Sequence, residues 1–122
     1  MNDIKNFDIQ KKKTIENAGI DIQKTEELSK LFCDNFDQCH HKIIEETKII
    51  IPYFLKLAQP LDAENKNQII QQHDQFNQLV INYENKTDIN QKKQLFKMIV
   101  LSYIGCAQMF TKLGWYTMPT IL

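Results

Sequence analysis

Residues 95–116 read LFKMIVLSYIGCAQMFTKLGWY, from Leu95 to Tyr116, and this stretch decides the fold. At a helical period of about 3.6 residues, Lys97, Gln108, Thr111 and Lys112 share one narrow polar stripe, and Ser102 lies off it. The rest of the surface is apolar nearly all round, so the helix must be wrapped by other elements or by a partner chain. Its longest uncharged run, Met98 to Thr111, falls short of the roughly 20 residues a membrane span needs. Asp88 opens the helix as an N-cap, with Gln91 in the capping-box position.

Working backward, Asn82 to Thr87 (NYENKT) is expected to be a polar loop. Before it, Ile69, Phe76, Val80 and Tyr83 form the stripe of a helix that starts after Pro60 with Asp62 as N-cap. From Thr25 to Ala58, Leu28, Phe32, Phe36, Cys39, Ile43, Ile50, Phe54 and Leu57 recur at helical spacing. One helix of that length would run about 50 Å. A break is therefore predicted near Asp34 to Asp37, or at Pro52, which cannot donate to the helix ladder. Residues 1–19, with Ile4, Phe7, Lys11 to Lys13 and Ile15, read as a short N-terminal helix or arm ending at Gly19.

No alternating strand pattern of useful length occurs, and glycine and proline number only three each in 122 residues. That poverty of turn formers excludes a many-stranded sandwich or barrel. The expected class is all-α, a single domain over 1–122. All fifteen basic residues are lysine, against fifteen acids. Without arginine there is no bidentate phosphate fork, which disfavours nucleic-acid partners. Three cysteines without CxxC spacing, and no N-terminal signal peptide, read as reduced thiols in the cytoplasm.

Few residues offer reaction chemistry. Serine occurs only at Ser29 and Ser102, and no phosphate-cradling glycine loop is present. HHxxxEE, from His40 to Glu46, resembles the metal-binding helix of haemerythrin-like proteins, which makes a metal- or oxygen-binding bundle one alternative. On a helical wheel His41 and Glu45 fall opposite the apolar stripe, and only His40 lies near it. A zinc set from Cys39, His40, His73 and Cys106 lacks ligand spacing. His73, between Ile69, Phe76 and Val80, is expected to point into the core.

Ile104-Gly105-Cys106-Ala107-Gln108 followed by Leu113-Gly114-Trp115-Tyr116 resembles the IGxxH...GxxxWY signature of globin-coupled sensors, with Gln108 where the family carries its proximal haem histidine. Tyr53-Phe54-Leu55-Lys56-Leu57 with Pro60 is similar to the family's FYxxL...P, with the two aromatics reversed. The resemblance covers roughly residues 22–122 and points to the haem-less branch, the sporulation-inhibiting sensor-domain proteins of bacilli. It implies a globin-like, non-enzymatic sensing domain, lacking the last globin helices, that binds a fatty acid instead of haem. It also implies antagonism of a sensor histidine kinase by titration of its signal. No cofactor is expected, since a glutamine amide is a poor iron ligand.

The candidate ligand-binding residues are Phe36, Tyr53, Phe54, His73, Phe76, Ile104, Gln108 and Lys112. Four apolar segments and one polar group would suit a lipophilic cavity. The wheel turns Gln108 outward, toward the stripe of Lys97 and Lys112, where either lysine could meet a carboxylate. The shortness of the chain beyond Trp115 leaves the apolar 95–122 segment to be covered by a second copy, so a homodimer is expected. The remaining alternative is a helical protein-interaction module with that segment as its binding surface.

Overall fold

The computed structural model describes residues 21–122, and the expected N-terminal arm lies outside them. The described chain is all-helical. Its five helices are α1 (Ile22–Asp34), α2 (Phe36–Ile50), α3 (Tyr53–Ala58), α4 (Ala63–Asn85) and α5 (Ile89–Lys112).

Asp21 caps α1, its side chain accepting from the Lys24 amide at 3.0 Å. The helix buries Thr25, Ser29 and Phe32, one row at three- and four-residue steps. It stops at Asn35, whose amide reaches the Leu31 and Phe32 carbonyls while its side chain donates to the Leu31 carbonyl. Satisfying the last carbonyls in this way ends the helix without glycine. Both predicted breaks occur, one at Asn35 and one at Ile51–Pro52, where the missing amide of Pro52 separates α2 from the short α3. The 82–87 loop does not form as expected. α4 continues through Asn82 and Tyr83 to Asn85 because Tyr83 is a core residue, 4% exposed, whose burial outweighs the polar residues around it. The connection is only Lys86 to Asp88, and Asp88 then caps α5 by accepting from the Asn90 and Gln91 amides.

α5 is the hub, packing on α1, α2 and α4. Phe96, Ile99, Val100, Tyr103, Ile104, Ala107 and Phe110 are at most 1% exposed, so the chain covers its own apolar helix and needs no second copy to do so. The end of the chain contributes to that cover. Beyond Leu113 it turns at Gly114, whose φ of 78° lies in the left-handed region that favours glycine. It then runs back as an irregular strap that packs Trp115, Tyr116, Met118 and Ile121 against the core. No helix among the described residues is long and apolar enough to cross a membrane.

Candidate functional site

The residues expected to line a cavity are brought into the core, where they pack on one another. Phe54 is 2% exposed and meets Phe76 and Phe110 edge-on at 6.3 and 5.6 Å. Tyr53, half-buried, meets Phe110 at 5.4 Å. Ile104 is fully buried. Phe36 sits apart from these, stacked on His40 at 4.7 Å and edge-on to Phe96 at 4.9 Å. Such edge-to-face contacts are the favoured packing of aromatic rings.

Two of the polar candidates are placed differently from the wheel. His73 does not enter the core: its side chain is 19% exposed and its Nδ1 pairs at 3.0 Å with the exposed Asp74. The reason is that α4 buries only Phe76, Val80 and Tyr83, all in its C-terminal half, so His73 lies at the margin. Gln108 turns inward, toward α1. Its Nε2 donates to Thr25 Oγ1 at 2.8 Å, and the Thr25 hydroxyl donates to the Asp21 carbonyl at 2.8 Å. The stripe is not uniformly solvent-facing because α1 lies over its Gln108 end, while Lys97 and Lys112 remain exposed.

The HHxxxEE segment divides between two environments. His40, His41, Glu45, Tyr83 and Lys92 line a cleft of about 370 Å³. Glu46 is instead 7% exposed and engaged elsewhere. His40 and His41 rings lie 4.1 Å apart, and the Tyr83 hydroxyl is 3.2 Å from His40 Nδ1. Among the described residues no group of three or more His, Cys, Asp or Glu side chains could hold a metal ion, and neither the haemerythrin-type nor the Cys/His set assembles. None of the three cysteines is in a disulfide, and burial pushes Cys33 and Cys39 upward in pKa.

Burial, aided by the charges of His41 and Lys92, holds His40 below its ordinary value of 6.5, with Asp37 opposing. The unfolded chain therefore takes up a proton more readily than the folded one. This contribution to stability is complete above pH 6.5 and is lost as pH falls through that value toward the folded one. The urea midpoint of the wild type is expected to decline on acidification through this range, and His40→Gln to flatten the decline. Equal slopes would remove His40 as the source.

A larger cleft, about 550 Å³, runs between α1 and α5. Cys33, Met98 and Leu101 give it apolar walls, and Lys30 and Lys97 stand at its edge with Glu26. Its volume is within the roughly 300–1,000 Å³ of small-molecule sites.

The polar group that sequence reading missed is under the strap. Tyr116 donates to Glu46 Oε1 at 2.7 Å, and Tyr103 lies 2.7 Å from the Tyr116 oxygen. Since the single Tyr116 proton goes to Glu46, Tyr103 donates to Tyr116. Lys42 approaches the other Glu46 oxygen at 3.8 Å. Burial pushes Tyr103 up to about 12 and raises Tyr116 further, helped by its bonds to Tyr103 and Glu46. One signal for Glu46 was present: it lies seven residues after Cys39 and three after Ile43, within the apolar stripe of α2. No protein-family model, curated protein or solved structure matches this chain.

Proposed function

We propose that the chain is a non-enzymatic, haem-less sensing domain of the sensor-globin kind that binds an apolar molecule with an acidic head, such as a fatty acid. The observation that carries this reading is that its two motifs meet in space. Tyr53 contacts Trp115 and Tyr116 at 6.4 and 6.5 Å, and the Lys56 ammonium lies 4.3 Å over the Trp115 ring. Nothing in the local spacing of either motif requires that contact. The position of the family's haem histidine supports the haem-less branch, because the Gln108 amide is spent on a bond to Thr25.

The α1–α5 cleft supplies a place for the ligand. An acyl chain would lie along Met98, Leu101 and Cys33, and its carboxylate would meet Lys97 as a charge-assisted pair. Binding then shifts which partner-competent state is populated. In the setting the resemblance implies, the domain inhibits sporulation in the cytoplasm by titrating the signal of a sensor histidine kinase.

The test is native mass spectrometry after mild extraction, followed by titration with palmitate. A co-purifying long-chain acid is expected, and Lys97→Met is expected to weaken palmitate binding by about tenfold. Protein that carries no acid and takes up no palmitate would overturn the reading.

A further inference from the structure

Tyr116 is held in the way a phenolic ligand would be held. Its hydroxyl donates to the Glu46 carboxylate and accepts from Tyr103, both at 2.7 Å. Its ring is walled edge-on by Tyr53 and Tyr103, each at 6.5 Å. Glu46 and Tyr103 are 7% and 0% exposed and belong to α2 and α5, so acceptor and donor are fixed on packed helices. Tyr116, by contrast, belongs to the irregular strap that follows the Gly114 turn. The arrangement joins an apolar slot to one buried acceptor and one buried donor, the combination that defines small-molecule sites.

We propose that this socket is a binding site for small phenols, and that Tyr116 occupies it from within as an intramolecular competitor. A phenol from solution would reproduce each contact: ring against Tyr53 and Tyr103, proton to Glu46, oxygen facing the Tyr103 hydroxyl. A plain arene would fill the slot and leave Glu46 Oε1 and the Tyr103 hydroxyl without the partner that the phenol supplies, Lys42 reaching only the other carboxylate oxygen, and such a loss is strongly disfavoured. The strap raises the local concentration of its own phenol, so an external one binds the intact chain more weakly than the vacated socket. The socket is separate from the α1–α5 cleft and stands whether or not that cleft takes a fatty acid.

The experiment uses p-cresol, the tyrosine side chain as a free molecule, with toluene as the control. Tyr116→Ala is expected to bind p-cresol one-to-one, about tenfold or more tighter than the wild type, and toluene about tenfold or more weaker than p-cresol. Adding Glu46→Gln is expected to weaken p-cresol binding by a similar factor. Trp115, the only tryptophan in the chain, reports strap release in the wild type through its fluorescence. A Tyr116→Ala protein with native helical circular dichroism that ignores p-cresol, or binds toluene equally well, overturns the proposal. If Tyr116→Ala does not fold, Tyr116→Phe keeps the ring while leaving Glu46 and Tyr103 without their partner. In that variant p-cresol should release the strap at about tenfold lower concentration than in the wild type, and an unchanged concentration overturns the proposal.

Discussion

Ile104→Asp is expected to leave no folded population by circular dichroism or by dispersion of amide resonances. Ile104 is 0% exposed on the helix that contacts α1, α2 and α4. An unpaired carboxylate there costs several kcal/mol of desolvation, and the lost isoleucine packing costs roughly 2–5 kcal/mol more. Together they approach the roughly 5–15 kcal/mol that holds a domain folded. Ile104→Val removes one methylene at about 0.5–1.5 kcal/mol and is expected to remain folded. A native-like Ile104→Asp would mean that α5 is not the hub.

Phe110→Ala is expected to fold but to lose about 3–5 kcal/mol in urea titration. The ring is fully buried and joins three elements, meeting Tyr53 of α3 at 5.4 Å, Phe54 at 5.6 Å, and Trp115 of the strap in a stacked pair at 5.8 Å. Its loss leaves a cavity on one side and an unsupported indole on the other. Trp115 fluorescence should therefore shift to the red before the helices melt. A loss below about 1 kcal/mol would mean that the cluster closes over the gap.

Helix identity was legible because it depends on local spacing. Phe36, Phe54, Phe76 and Ile104 are buried as their stripes require, and Pro52 and Asp88 mark a break and a cap through backbone chemistry alone. What failed to read was set by distant neighbours. Gln108 shares a stripe with two exposed lysines, and only the arrival of α1, with Thr25 far away in sequence, turns it into a half-buried donor. His73 sits in an apolar stripe whose N-terminal half is only partly buried, with Ile69 at the edge of the core. NYENKT looks like a loop until Tyr83 is seen anchoring it from inside. The Glu46, Tyr103 and Tyr116 chain joins residues as much as 70 positions apart, a pairing no local pattern encodes.

The central position of α5 also bears on how the protein is made. Because α1, α2 and α4 all bury their apolar faces against Ile89–Lys112, a nascent chain that has not yet released those residues from the ribosome displays Phe32, Phe36, Phe54 and Phe76 together. Folding is thereby deferred until α5 has left the ribosome. During that interval the growing chain is a natural client for chaperones that recognise exposed aromatic residues.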